Sequence, residues 1–144
     1  MYGFLPAAAT ESIGTTLMEE VDIKMQELLV SVITPCYNSE KTIEKTLSSI
    51  ENQTYSNIEY IIIDGGSSDR TLSLIEQHRD RLPKNLRIIS ERDKGIYDAM
   101  NKGIHMANGS LIGIVNSDDW YEHDTIEQAV THYQGNPYEV LYGM

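Results

Sequence analysis

Apolar positions in this 144-residue chain fall into short runs separated by stretches with helical spacing. Leu28-Leu29-Val30-Ser31-Val32-Ile33, Ile58 to Ile63, Leu86 to Ile89 and Leu111 to Val115 are β-branched-rich and bounded by turn residues, which predicts strands. Their near-continuous apolar character suits strands buried on both faces, as in parallel sheets. Between them Ile43, Leu47 and Ile50 share a helical face behind a capping Ser39, and Leu72 and Ile75 follow Ser68 or Asp69. Tyr97, Met100, Ile104 and Ala107 repeat as a third stripe. Asp124-Thr125-Ile126-Glu127 has acid-x-x-Glu spacing like a capping box and predicts a helix ending near Tyr133; Tyr138 to Tyr142 reads as a last strand. This alternation predicts an α/β domain over residues 29–144, a mostly parallel sheet flanked by helices on both faces.

Residues 1–28 lack that rhythm. Leu17, Val21 and Met25 recur every four residues, so the segment is expected to be an extension, helical or disordered, outside the site. The candidate boundary lies near Leu28.

Three predicted strands end in residues suited to binding. Ligands of open α/β sheets gather at the carboxyl ends of strands. The run Leu111 to Val115 stops at Asn116-Ser117-Asp118-Asp119-Trp120, and adjacent carboxylates repel unless a cation or hydrogen bonds offset the repulsion. Ile58 to Ile63 runs into Asp64-Gly65-Gly66-Ser67-Ser68-Asp69, where Asp64 can accept hydrogen bonds from a nucleobase or ribose. The first run ends in Thr34-Pro35-Cys36-Tyr37-Asn38, which places an aromatic ring at a third terminus. Each has a plainer reading as loop acid, Asx-turn or packed ring. Among Arg92, Lys94 and Lys102, Lys94 is best placed to reach phosphate, beside the Gly95 turn. His78, His105, His123 and His132 show no ligand or relay spacing and are taken as non-catalytic, with His123 nearest the acids. Trp120 is expected to pack the acid loop.

Taken together, Val30 to Asn38, Ile61 to Asp69, Asp93-Lys94-Gly95-Ile96-Tyr97-Asp98-Ala99-Met100-Asn101-Lys102-Gly103 and Asn116 to Asp119 resemble the signature series of the family 2 glycosyltransferases with the GT-A fold. The match runs in order from about Leu29 to Gly143. The resemblance implies a nucleotide-binding set of Thr34, Pro35, Tyr37, Asp64, Lys94, Asn116 and Asp118, with Pro35 and Tyr37 lining the nucleoside pocket and Asp64 bonding the base. It further implies a Mg²⁺ or Mn²⁺ ion on Asp118, with Asp119 adjoining. Asn116 stands where the family usually has its first acid, and Gly65 where a second acid is common.

Function follows as an expectation: donor-domain binding of a nucleotide-diphospho-sugar, UDP first with GDP and dTDP open, for inverting transfer to an acceptor hydroxyl in surface polysaccharide or glycolipid synthesis. Family members are longer, and their general base lies after the metal motif, so a truncated GT-A domain is expected. A cut sheet would leave Leu111–Val115 and Tyr138–Tyr142 uncovered, which predicts a homo-oligomer. The alternative is a non-catalytic nucleotide-sugar-binding or assembly domain lacking the acceptor half. A dinucleotide-binding dehydrogenase is disfavoured, because Thr-Pro-Cys-Tyr-Asn stands where Gly-x-Gly-x-x-Gly is needed.

Charge narrows the partners. Acids outnumber bases 22 to 11, giving a net charge of −11, which excludes nucleic acid and anionic membrane surfaces as partners. A cation bridging carboxylates to phosphates reconciles that charge with a diphosphate ligand. Cys36 stands alone, so no intrachain disulfide forms. No apolar run reaches the ~20 residues of a membrane span, and the first residues lack a signal-peptide pattern. The expected location is cytoplasmic, or membrane-associated through partners or a missing C-terminal part.

Overall fold

The computed structural model describes residues 2–6, 28–133 and 141–143. Its elements run β1 (Tyr2–Pro6), β2 (Val30–Cys36), α1 (Ile43–Glu51), β3 (Ile58–Asp64), α2 (Thr71–His78), β4 (Asn85–Ser90), α3 (Ile96–Met106), β5 (Leu111–Ile114), α4 (Thr125–His132) and β6 (Leu141–Gly143). The sheet order is β4-β3-β2-β5-β1-β6. Strands β2 to β5 are mutually parallel, whereas β1 runs antiparallel to both β5 and β6.

All residues of β2 and β3 are buried, as their continuous apolar runs require. On one face Val32, Tyr60 and Ile62 join Ile43, Leu47 and Ile50 of α1, Leu74 and Ile75 of α2, and Ile126 and Val130 of α4 in one core. On the other, Ile33, Ile61 and Ile63 meet Ala99 of α3. Gly103 allows that helix to lie directly on the sheet, since a Cβ there would fall 2.4 Å from Ile33 Cγ2. The predicted architecture, helices on both faces of a mostly parallel sheet, is therefore present.

A buried polar cluster ties the amino ends of the strands together, opposite the carboxyl ends where ligands gather. Glu59 accepts from the Ser31 hydroxyl (2.5 Å), the Asn108 amide (2.8 Å), Asn108 Nδ2 (2.9 Å) and Arg87 Nη2 (2.5 Å). Burial works to raise the Glu59 carboxyl, but these donors outweigh it and hold the group below its ordinary range.

Several sequence expectations need correction. Tyr2–Pro6, assigned to an extension outside the domain, forms β1 inside the sheet and pairs Gly3 with Ile114 and Phe4 with Gly113. The strand that was expected to be uncovered, Leu111–Val115, is covered within the chain: Leu111, Ile112 and Val115 are buried, and Phe4 packs on Tyr121 with ring centres 5.5 Å apart. One of the two grounds for a homo-oligomer is thereby removed. The α3 stripe holds only in part: Ile104 and Ala107 pack against the core beside the buried Ala99 and Gly103, whereas Tyr97 is 79% exposed. Ile96 in the same first turn is exposed as well. At α4 no capping box forms: the Asp124 side chain makes no cap bond, and Glu127 Oε2 accepts from the Thr54 hydroxyl at 2.7 Å. The Leu17, Val21 and Met25 stripe, and Tyr138 to Val140, lie outside the described residues.

Candidate nucleotide-sugar site

At the carboxyl ends of β2, β4 and β5 a cavity of about 760 Å³ opens, within the usual range for small-molecule sites. Pro35 and Cys36 form its floor as β2 runs out, and the chain then turns through Tyr37 and Asn38, whose φ is +45°. Asn is among the few residues that adopt this left-handed conformation readily. The turn leaves Tyr37 at 62% exposure, a free aromatic face at the cavity rather than a packed ring.

Hydrogen bonds hold neighbouring loops in register around it. The Asn38 amide donates to the Ser67 hydroxyl (2.8 Å), and the Ser68 amide donates to Asn38 Oδ1 (2.9 Å), joining the loops after β2 and β3. Ser39 and Ser117 share a hydroxyl contact of 2.7 Å that joins the loops after β2 and β5. Behind the acid loop, the Thr46 hydroxyl of α1 donates to the Asp119 carbonyl (2.6 Å), and Lys45 Nζ sits 3.1 Å from the centre of the Trp120 ring. Trp120 thus helps to fix the loop, as expected. The wall also includes Asp69, whose carboxylate accepts the Thr71 amide (2.9 Å) and hydroxyl (2.5 Å) and the Glu40 amide (3.2 Å).

Four of the sequence-chosen residues, Pro35, Tyr37, Asn116 and Asp118, come together in the lining. The other four do not. Thr34 is fully buried, with its hydroxyl 2.9 Å from that of Tyr60. Asp64 is also fully buried and engaged with its own loop. Lys94 is exposed outside the lining, its amide bonded to Asp98 Oδ2. The Asp119 carboxylate turns back to accept the Trp120 amide at 2.9 Å. Sequence reasoning passed over Asn38, Ser39, Asp93, Ile96 and Ser117, all in the lining. The signal for Asp93 was its place two residues before Gly95, whose φ of +115° starts α3 at the cavity edge.

Cys36 borders the cavity as a neutral thiol. Burial pushes its pKa far up, and the neighbouring Asp64, to which it donates at 3.7 Å, pushes it further.

Charge in the lining is lopsided: Glu40, Asp69, Asp93 and Asp118 face a single Lys41. A diphosphate entering such a cavity meets net repulsion unless a cation accompanies it. The residues present fit a divalent ion. Asn116 lines the cavity, its buried Oδ1 has no hydrogen-bond partner among the described residues, and Asp118 lies two residues away. No group of three acid, His or Cys side chains is gathered among the described residues. An ion held here would therefore draw most of its ligands from phosphate and water, as Mg²⁺ commonly does.

Comparison with known proteins agrees with this geometry. The family model for glycosyl transferase family 2 matches residues 31–144. Escherichia coli chondroitin synthase is 37% identical over 106 residues, 74% of this chain and 15% of that protein. The structure of S. aureus TarS 1–349 in complex with UDP-GlcNAc superposes with a TM-score of 0.67 at 31% identity, covering 72% of this chain and 30% of that one. The Pyrobaculum calidifontis mannosyltransferase in complex with GDP-Man and Mn²⁺ gives 0.59 at 28% identity, over 66% of this chain and 29% of that one. The chain thus spans less than a third of each of these proteins, and it shares their GT-A architecture. With the family model matched over most of its length, the chain belongs to glycosyl transferase family 2.

Proposed function

We propose that this chain is the donor-binding part of an inverting glycosyltransferase, holding a nucleotide-diphospho-sugar with Mg²⁺ or Mn²⁺ for transfer to an acceptor hydroxyl. The observation that carries the reading is the unpartnered, buried Asn116 Oδ1 beside Asp118 in an otherwise acidic cavity. A buried acceptor without a donor is costly, and a cation or a ribose hydroxyl relieves it. UDP is the first choice of nucleotide, supported by the UDP-GlcNAc complex of the TarS relative; the Mn²⁺ in the mannosyltransferase complex supports the ion. The chondroitin synthase relative supports a polysaccharide as product. No described helix is long and apolar enough to cross a membrane; a cytoplasmic location remains part of the proposal.

In this reading Tyr37 stacks on the base above Pro35. The Ser39–Ser117 contact keeps the base-binding and phosphate-binding loops at a fixed separation. Asn116 Oδ1 and Asp118 would hold the divalent ion. When bound, that ion offsets the negative charge developing on the leaving diphosphate. Attack by the acceptor hydroxyl on the anomeric carbon then expels the nucleotide, with a base from outside the described residues taking the proton.

Calorimetry of UDP binding with Mn²⁺ and with EDTA tests the assignment. Asp118→Asn is expected to weaken metal-supported binding about tenfold or more, the worth of a charged contact. Equal affinity with and without metal, for UDP, GDP and dTDP alike, defeats the proposal.

A further inference from the structure

We infer that Asp93 is the carboxylate that reads the nucleobase and that Gly65 is the vacancy that seats it, an inference that rests on the nucleotide-sugar reading above. Asp64 was the acid expected to do this, and the structure shows it filled. Its Oδ2 accepts the Gly66 amide (3.1 Å), the Ser67 amide (3.0 Å) and the Ser90 hydroxyl (2.7 Å). Its Oδ1 accepts the Ser67 hydroxyl (2.5 Å) and the Cys36 thiol (3.7 Å). Fully buried, Asp64 could take a base N–H only by giving up a donor that shapes its own loop.

Asp93 is the acid that borders the cavity just beyond β4. Its carboxylate lies against Gly65, where an added Cβ would come within 2.7 Å of Oδ2 and 3.1 Å of Oδ1. No side chain at position 65 leaves room for the carboxylate as it stands. The Gly95 amide donates to Oδ1 at 2.9 Å and fixes the orientation.

Strand order supplies a ruler. Asp93 follows β4 and Asp118 follows β5, and β3 and β2 lie between them. Because the Asp93 carboxylate lies over Gly65, just past β3, two strand spacings of about 4.8 Å, roughly 10 Å at the sheet, separate it from the end of β5. That is comparable to a nucleoside diphosphate, with the base edge at Asp93 and the phosphates at Asp118.

A carboxylate only accepts hydrogen bonds. Uracil and thymine offer an imide N–H, and guanine offers a ring N–H beside an amino group. Cytosine and adenine place a ring-nitrogen lone pair there, which a carboxylate repels. Asp93 therefore selects UDP, dTDP and GDP over CDP and ADP.

The test is calorimetry of the full chain with these five diphosphates in Mn²⁺. The first three are expected to bind about tenfold or more tighter than CDP and ADP. Asp93→Asn, whose amide both donates and accepts, is expected to bring all five within a few-fold of one another. Gly65→Ala displaces the same carboxylate without removing it and is expected to do likewise, with thermal melts confirming that each variant is folded. If Asp93→Asn does not fold, Gly65→Ala decides. A preference retained in the folded variants, or equal binding of all five by the parent chain, overturns this inference alone. Failure of the parent chain to bind any of them overturns the donor-site reading and this inference with it.

Discussion

Replacing Gly103 by Ala sets helix propensity against packing, and the structure says that packing wins. Propensity alone favours Ala inside α3 by ~1 kcal/mol. The new Cβ, however, would lie 2.4 Å from Ile33 Cγ2, 3.1 Å from Cγ1 and 3.2 Å from Cδ1. Carbons rest at about 3.5–4.0 Å, so a shift of about 1 Å is required. Ile33 cannot supply it, being fully buried in the middle of β2 and stiff at χ1. The helix must lift instead, along its contacts with β2 and β3. Overpacking of this kind reaches ~3 kcal/mol, which leaves a net loss of about 2 kcal/mol after the propensity gain. For a chain of this size that lowers Tm by about 4–8 °C. Because Ile96 and Ala99 border the cavity, lifting α3 also weakens nucleotide binding. Thermal melts of Gly103→Ala, alone and with Ile33→Leu, measure the effect. Leu has no Cγ2, so the double variant is expected to recover much of the loss. A Gly103→Ala protein as stable as its parent, or more so, refutes the argument.

Glu59→Gln is expected to cost about 2–3 kcal/mol near neutral pH, because Arg87 loses its charge partner while most of the surrounding donors remain; denaturant unfolding measures it. The same group sets an acid limit. Its folded-state pKa is lowered, so its contribution is complete above the ordinary 4.5 and fades as pH falls through the lower folded value; melts from pH 6 to 3 should slope less in Glu59→Gln than in the parent. Thr46→Val removes the hydroxyl that holds the Asp119 carbonyl and is expected to weaken metal-supported UDP binding several-fold, although Thr46 is absent from the cavity lining; calorimetry tests this. Tyr37→Ala is expected to lose about tenfold in nucleotide affinity at unchanged Tm, because its ring is mostly exposed in the free protein; calorimetry beside thermal melts checks both.

What could be read from sequence was what neighbouring residues determine. The apolar runs that became β2, β3 and β5 announced themselves by composition, and the residues directly behind them, Pro35, Tyr37, Asn116 and Asp118, fell into the cavity. Strand β1 gave no such signal. Its five residues include Gly3 and Pro6, and its pairing depends on β5, far along the chain. The exposure of Tyr97 was hidden for a related reason: its spacing from Ile104 and Ala107 marks it as a core residue, and only the fold shows that the first turn of α3 is left open. Asp64 and Asp93 exchanged prominence because Ser90 and Gly65, each remote in sequence from the acid it touches, decide which carboxylate is engaged and which has room at the cavity.

The antiparallel seam between β1 and β5 also fixes an order of assembly. Strands β2, β3 and β4 are joined through α1 and α2 and find their partners over short loops, so that half of the sheet can form while synthesis continues. Residues Gly3 to Pro6 are made long before Leu111 to Ile114, and until those emerge they have no edge to join. Closing so long a loop carries a chain-entropy penalty that the last contacts must overcome. Strand β1 is therefore among the last to dock, and amide exchange during refolding should find protection at Gly3 and Phe4 trailing that at Ile61 and Ile62.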